Sequence, residues 1–270
     1  MDDKINISVV TVCLNAKKYI ESTLNSIIKQ DYPYIQLVVI DGNSSDGTQE
    51  IISSIIKKYQ KYKEIIYISE NDNGIYNAMN KGISFAKGEF VIFMNVGDSF
   101  VDSKTISEIV KKIRKDDEII YGNHYSTIYN KRKLHRPPNV NVTHMRPVFC
   151  HQASLTRVDL LKKMPFDESY KIIADAKFFL NQFEMGHKFR YIDIDIANFN
   201  LEGISSSQIN KKYLETLRML SESEYCTKVD LENKKRSLIK DKKREFIKRM
   251  LPHFIRYIGY KKYENIWEHS

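Results

Sequence analysis

Residues 37–48 read Leu37-Val38-Val39-Ile40-Asp41-Gly42-Asn43-Ser44-Ser45-Asp46-Gly47-Thr48, an apolar run that ends at a carboxylate and a turn of small polar residues. The same order occurs twice more, where Ile65–Ile68 precedes Glu70–Gly74 and Phe90–Met94 precedes Asn95–Asp98. Short apolar runs bounded by turn residues are typical of buried strands. In open α/β sheets, ligands bind beyond the carboxyl ends of the strands. We therefore predict that these turns line one binding edge of a sheet.

Helical periodicity alternates with these strands. Ile5–Cys13 suits a buried first strand, and Lys18–Gln30 suits an amphipathic helix. Helical spacing recurs over Thr48–Tyr62, where Asp46 or Thr48 can act as N-cap, and over Ile75–Ala86. This alternation predicts an α/β protein with a Rossmann-like, mostly parallel central sheet flanked by helices.

The remainder of the chain is less regular. We predict helices over 102–114, 159–164 and 173–185, strands over 119–122 and 189–196, and irregular structure over 123–150. From Lys211 onward the pattern is basic and mainly helical as far as Pro252. We therefore divide the chain into a domain over residues 1–208 and a basic helical C-terminal region over residues 209–270.

Composition restricts the class of protein. Of the net charge of +9, the part from residue 205 onward contributes +7, because it holds sixteen Lys and Arg against nine Asp and Glu. The three cysteines have no partner motif, which favours a reducing cytoplasm. We find neither a membrane span nor a signal peptide in the sequence. The basic tail interleaves cations with apolar residues, which suits either an anionic membrane surface or a solvated helical face packed on the domain.

Two of the turns carry residues suited to ligand chemistry. A carboxylate at the end of a buried strand, such as Asp41, can accept hydrogen bonds from a nucleotide base or ribose, although small polar residues also populate ordinary turns. Asn95 and Asp98 follow the most apolar strand, where one carboxylate together with diphosphate oxygens and water can hold Mg²⁺ or Mn²⁺. The alternative for Asp98 is a helix-capping role.

Four segments of the chain form a recognisable pattern: Ser8–Asn15, Asp41–Thr48, Asp72–Ile83 and Asn95–Asp98. Together they resemble the family 2 inverting glycosyltransferases of the GT-A fold. The later segments Cys150-His151-Gln152-Ala153 and Ile173-Ala174-Asp175 also look like that family's acceptor-side and catalytic segments. The resemblance covers roughly residues 5–205, and the similar proteins build bacterial O-antigen, capsule or exopolysaccharide units on a polyprenyl-diphosphate carrier.

The resemblance implies a role for individual residues. Asp98 would be the metal ligand, for Mg²⁺ or Mn²⁺, and Asp175 the general base that removes the proton of the acceptor hydroxyl. His151 and Gly203 would bind the acceptor or the diphosphate. The sugar donor would be a nucleotide sugar, with UDP as the expected nucleotide, and the acceptor a lipid-linked saccharide. The donor-binding residues would be Val12, Leu14, Asn15, Asp41, Asp72, Lys81 and Asn95.

The sequence departs from the family pattern at three positions. Asn95 and Asn77 stand where many members have acidic residues, and Ala174 precedes Asp175 where many have Glu. A non-catalytic nucleotide-sugar-binding or scaffold protein of the same fold is therefore the main alternative. A nucleotidyltransferase or a dinucleotide-binding oxidoreductase would need a glycine-rich loop after the first strand, which Leu14–Lys18 lacks. Nothing indicates a nucleic-acid-binding module.

Overall fold

The computed structural model describes residues 4–59, 64–128, 131–138, 149–200, 208–237 and 239. The chain divides into two compact units, Met1–Gln208 and Ile209–Ser270. The strands of the first unit are β1 (Ile7–Cys13), β2 (Ile35–Asp41), β3 (Glu64–Ser69), β4 (Phe90–Phe93), β5 (Ser99–Phe100), β6 (Ile119–Ile128), β7 (Lys131–His135), β8 (Ser154–Arg157) and β9 (Phe189–Asn200). Its helices are α1 (Ile20–Ile28), α2 (Thr48–Tyr59), α3 (Ile75–Phe85), α4 (Thr105–Val110), α5 (Val158–Lys163) and α6 (Ala174–Glu184), with a 3₁₀ turn at His151–Ala153.

The described strands form one sheet in the order β3-β2-β1-β4-β8-β6-β9-β5, with β7 paired to β6. β1 runs parallel to both β2 and β4, with Cys13 opposite Asp41 and Val10 opposite Phe93. β8 then pairs antiparallel to β4 and to β6, and β9 lies parallel to β6. The α/β prediction with a mostly parallel sheet flanked by helices is confirmed.

Helices cover both faces of the parallel part of the sheet. Ile20, Leu24, Ile27 and Ile28 of α1 are buried in one core with alternate residues of the strands, as the helical spacing predicts. On the opposite face α3 approaches β1 so closely that a β-carbon at Gly82 would lie 2.4 Å from Cγ1 of Val10. Burial on both faces explains why these strands read as continuous apolar runs.

Three boundary predictions were wrong. Residues 123–128 and 131–135 are not irregular but belong to the β6–β7 hairpin. This hairpin contains many polar side chains, so residues 123–128 and 131–135 form no apolar run that would indicate strands in the sequence. β9 continues to Asn200 rather than ending at Ile196, since its pairing with β6 extends that far. α4 spans only Thr105–Val110 because Lys111 and Lys112 form a turn instead.

The second unit contains α7 (Ile209–Ser221), followed by a helical stretch over residues 228–237. Met219 and Leu220 are buried, whereas Leu214 and Val229 are well exposed. Among the described residues, we find no helix with the length and apolar character needed to cross a bilayer. Most of the predicted basic tail, including 240–270, lies outside the described residues.

Candidate active site

The acidic turns meet at one edge of the sheet, as predicted. β1, β2, β3 and β4 are mutually parallel neighbours, so their carboxyl ends point the same way. Asp41 is the last residue of β2, Asp72 follows β3, and Asn95 and Asp98 follow β4. The edge is therefore lined by one polar turn from each of these strands.

The turns after β1 and β2 are joined by hydrogen bonds. The backbone N–H of Asn15 donates to Ser44 Oγ at 2.8 Å, and the N–H of Ser45 donates to Asn15 Oδ1 at 3.0 Å. Asn15 and Asn43 have positive φ values of 49° and 62°, a conformation that asparagine tolerates better than most residues. Asp46 accepts from the N–H of Thr48 at 3.1 Å, so the predicted cap of α2 is present.

Asp41 is fully buried, and its carboxylate faces protein groups. It accepts hydrogen bonds from the Ser44 N–H at 3.0 Å, from the Ser69 hydroxyl at 2.7 Å and from the Ser44 hydroxyl. These bonds fix the turn after β2 and tie it to the end of β3. Contact between Asp41 and a nucleotide base stays a prediction.

The predicted donor-side residues lie around Gly42. A β-carbon at Gly42 would lie 3.1 Å from Asp72 Oδ2 and 3.3 Å from Leu14 Cδ1, so a larger residue there would press on both side chains. Leu14 is 62% exposed, so its side chain is accessible beside this space. Lys81 Nζ lies 2.6 Å from Asp72 Oδ1 and 2.8 Å from Glu70.

Not every predicted donor residue faces this space. Val12 is 5% exposed within β1, so its side chain belongs to the sheet. Gly203, which was predicted to bind the acceptor or the diphosphate, lies in 201–207, outside the described residues. Whether these two positions bind ligand stays a prediction.

Asp98 is the buried carboxylate of the turn after β4. Its Oδ1 accepts from the backbone N–H of Asn200 at 2.9 Å, and its Oδ2 accepts from Gln152 Nε2 at 2.7 Å. Burial raises the pKa of Asp98 to about 6, although both hydrogen bonds act in the opposite direction. The turn after β4 is thereby connected to the end of β9 and to the 3₁₀ turn.

Asn95, His151 and Asp175 form a connected row beside Asp98. Asn95 Nδ2 lies 3.2 Å from His151 Nε2, and His151 Nδ1 lies 2.8 Å from Asp175 Oδ2. With the ring proton on Nδ1, His151 donates to Asp175 and accepts from Asn95. The other carboxylate oxygen of Asp175 lies 2.7 Å from the Tyr76 hydroxyl.

Asp175 sits in the first turn of α6, and its side chain is 20% exposed. Burial acts to raise the pKa of Asp175, but the neighbouring His151 and the hydrogen bonds from His151, Tyr76 and the Ala176 N–H together lower it below its ordinary value. The carboxylate is therefore ionised at neutral pH. It can accept a proton and remains partly accessible.

The asparagine at position 77 has a structural explanation. Asn77 Nδ2 lies 3.2 and 3.1 Å from the two carboxylate oxygens of Glu168, and its Oδ1 accepts from the Asn73 N–H at 3.2 Å. A carboxylate at this position would face Glu168 with like charge, whereas an amide donates to it. The departure from the acidic pattern therefore suits the local partner.

The turn after β4 offers oxygen ligands for a divalent cation. The described residues contain no group of three His, Cys, Asp or Glu side chains able to hold a metal, so Asp98 would be a single carboxylate ligand. Asn95 Oδ1 is buried and has no hydrogen-bond partner among the described residues. Two such oxygens fit Mg²⁺ or Mn²⁺ when diphosphate oxygens and water supply the remaining ligands.

Three contributors escaped the sequence-based assignment of roles. Tyr76, Gln152 and Asn200 contact the two central carboxylates, yet we assigned no role to any of them. Tyr76 and Gln152 lie inside quoted motifs, which is the only available signal. Each contact joins residues at least 54 positions apart in sequence, so local patterns contain no information about it.

The parallel sheet with polar turns at one edge is the GT-A arrangement of glycosyltransferases, and solved structures agree. S. aureus TarS 1-349 in complex with UDP-GlcNAc superposes with a TM-score of 0.63 at 19% identity, covering 87% of this chain and 72% of that one. The mannosyltransferase PcManGT from Pyrobaculum calidifontis in complex with GDP-Man and Mn²⁺ gives 0.66 at 16% identity, covering 87% and 70%.

Sequence comparison defines the family. The family model described as "Glycosyl transferase family 2" matches residues 8–179. The chain therefore belongs to glycosyl transferase family 2. It is similar to the PGL/p-HBAD biosynthesis glycosyltransferase of Mycobacterium bovis (strain BCG), with 26% identity over 217 residues, 78% of this chain and 84% of the relative.

Proposed function

We propose that this glycosyltransferase moves a sugar from a UDP-linked donor to a hydroxyl of a lipid-linked or growing saccharide, with inversion at the anomeric carbon. The observation that carries the proposal is the row Asn95–His151–Asp175 beside the buried Asp98. It puts a partly exposed, ionised carboxylate next to a turn with oxygen ligands for a cation. Family membership supports sugar transfer in general.

Two carboxylates serve two separate tasks in this scheme. Asp175 accepts the proton of the acceptor hydroxyl while that oxygen bonds to the anomeric carbon. The bond from that carbon to the diphosphate breaks, and its electron pair leaves with the diphosphate. Asp98 and Asn95 would hold Mg²⁺ or Mn²⁺, which supplies positive charge for the leaving group. A single base, opposite the leaving group, gives inversion.

The donor side is proposed to lie between Leu14, Gly42 and Asp72. The exposed Leu14 side chain offers an apolar contact, and Asp72 with Lys81 offers polar ones. The TarS structure contains UDP-GlcNAc and the PcManGT structure contains GDP-Man, so the nucleotide must be determined by experiment. We favour uridine because of the motif resemblance.

The acceptor and the location of the reaction are also part of the proposal. The C-terminal unit contains exposed Leu214, Tyr225 and Val229 among many Lys and Arg residues. This combination suits the anionic inner face of a bacterial cytoplasmic membrane. A lipid-linked acceptor would be presented at that surface, in agreement with a role in cell-surface glycan biosynthesis.

Calorimetric titration with UDP-, GDP-, dTDP- and CMP-sugars, with and without Mn²⁺, tests the donor class. We expect one UDP-sugar to bind in a Mn²⁺-dependent manner, and Asp98→Ala to weaken that binding at least tenfold. Asp116→Ala is the matched control, because it removes an exposed carboxylate that pairs with Lys188 and not with the turn after β4. Absence of binding to every donor would favour the scaffold alternative.

A further inference from the structure

Tyr76 places a phenol against the proposed base. It lies in the first turn of α3 and is 6% exposed. Its hydroxyl oxygen is 2.7 Å from Asp175 Oδ1 and 2.9 Å from the carbonyl oxygen of Ile172. A hydroxyl has one proton to donate, so that proton is shared between the carboxylate and the backbone carbonyl three residues before it.

Packing prevents the Tyr76 ring from moving away. Its centroid lies 5.6 Å from that of Phe166, which in turn packs against Phe93 of β4 at 5.4 Å and Phe178 of α6 at 5.5 Å. These contacts join α3, the sheet and α6 in one aromatic cluster. The hydroxyl therefore occupies a fixed point relative to Asp175.

A second connection fixes the segment before Asp175 to the same helix. Asn80, one turn after Tyr76, donates to the Phe166 carbonyl oxygen at 2.9 Å and accepts from the Phe166 N–H at 2.9 Å. Asn80 also donates to Glu168 at 3.0 Å. α3 thus holds the segment leading to Asp175 through Tyr76, Asn77 and Asn80, of which only Tyr76 contacts the carboxylate.

We infer that Tyr76 is a positioning residue for sugar transfer, whose hydroxyl holds the Asp175 carboxylate in the one orientation that meets the acceptor hydroxyl. This inference rests on the proposed function. Because α3 begins directly after the donor-side turn ending at Gly74 and also carries Lys81, one helix aligns the base with the donor side.

Tyr76 keeps its own proton throughout the reaction. The acceptor O–H bond breaks and its proton goes to the Asp175 carboxylate, while the new glycosidic bond replaces the bond to the diphosphate. The phenol only donates a hydrogen bond to the ionised carboxylate. Its removal should therefore cost orientation and make the carboxylate more basic at the same time.

Tyr76→Phe tests this role, because it deletes one oxygen and keeps the ring that packs on Phe166. We expect kcat to fall about 10- to 100-fold through misplacement of the base, while the donor KM changes less than twofold. The acid limb of the pH dependence of kcat should move to higher pH, since the carboxylate loses a donor. A purely structural role would leave that limb in place.

Two further variants keep the test decisive. Asn80→Ala loosens the same segment without touching Asp175, so we expect a lower Tm and an unmoved acid limb. p-Aminophenylalanine at position 76 retains a donor and should restore most of kcat. If Asp175→Asn is inactive but Tyr76→Phe keeps the kcat and the pH dependence of the wild type, the inference is overturned. Full activity of Asp175→Asn would instead overturn the proposed function itself.

Discussion

Asp41 and Asp98 are two buried carboxylates at the same sheet edge, and their surroundings differ. Asp41 accepts three hydrogen bonds from serine groups of its own turn and of the next strand. Asp98 accepts one backbone and one amide hydrogen bond and lies beside the unpartnered Asn95 Oδ1. Asp41 therefore shapes the turn, whereas Asp98 is the carboxylate that we propose as a cation ligand.

His124 makes a prediction about stability and pH. It stacks on His135 at 4.8 Å between centroids, and its buried Nδ1 has no hydrogen-bond partner within the part of the chain that the structure describes. Burial, followed by the nearby His135, lowers the pKa of His124 from 6.5 to about 4. In the unfolded chain this imidazole is protonated below about pH 6.5, whereas in the folded protein it stays neutral down to about pH 4. The free energy of unfolding therefore decreases as the pH is lowered from 6.5 to 4.

We expect His124→Phe, which keeps a stacking ring, to flatten this dependence. Relative to the wild type, the variant should gain about 2–3 kcal/mol in free energy of unfolding between pH 7 and pH 4, since each unit of pKa shift is worth about 1.4 kcal/mol. Urea unfolding at several pH values measures the difference. Parallel curves for the two proteins would contradict the assigned burial of a neutral imidazole.

At the scale of elements, the approach of α3 to β1 depends on Gly82. A β-carbon there would lie 2.4 Å from Cγ1 of the fully buried Val10 and 3.6 Å from Cγ1 of Ile40. The helix must therefore shift away from the sheet if any side chain is added. Since α3 also carries Tyr76 and Lys81, such a shift would reach both sides of the site.

Gly82→Ala should destabilise the fold by about 1–3 kcal/mol through overpacking, despite the roughly 1 kcal/mol gain in helix propensity. Denaturant unfolding checks the size of the effect. Ser84→Ala, at an exposed position of the same helix, is the control and should be near neutral. Val10→Ala removes the Cγ1 atom that clashes, so Gly82→Ala should cost less stability in a Val10→Ala background than in the wild type. An equal cost in the two backgrounds would refute this explanation.

The elements that could be predicted from sequence are those with local signals. β1 to α3 follow from apolar runs and helical spacing, and the shared edge of Asp41, Asp72 and Asp98 follows from parallel strand order. The β6–β7 hairpin and the last turn of β9 were missed because their order comes from pairing with distant strands. Hydrophobic periodicity cannot report such pairing.

The site shows the same division. The resemblance identified Asn95, His151 and Asp175 as candidates, and the structure brings these three into contact. Tyr76 and Glu168 were assigned no role, because their contacts join α3 to a segment 91 to 99 residues away. Only the three-dimensional arrangement shows that the proposed donor-side motif also contacts Asp175, the proposed base.

At the scale of the whole molecule, the charge distribution is uneven. Seven of the nine net positive charges fall in residues 205–270. In the second unit, Lys234, Lys235 and Arg236 follow one another near exposed apolar side chains. A basic region of this kind gains about 1 kcal/mol per residue near anionic headgroups, an effect that salt weakens.

We predict that the protein cosediments with phosphatidylglycerol vesicles but not with phosphatidylcholine vesicles, and less at high salt. Replacing Lys234, Lys235 and Arg236 by Gln should weaken binding by at least tenfold. Replacing Lys57 and Lys58, basic residues in the last turn of α2, should have little effect. Equal binding to both vesicle types would show that the basic region is not a membrane contact.

Asp175 is proposed to be the base of the sugar-transfer reaction. The most direct test compares wild type and Asp175→Asn in UDP release from the donor that binds in calorimetry, with a saccharide acceptor and Mn²⁺, alongside the donor Kd of both proteins. We expect turnover by Asp175→Asn to fall about 10²- to 10⁴-fold, with a donor Kd within twofold of the wild-type value. Equal turnover in the two proteins would contradict it.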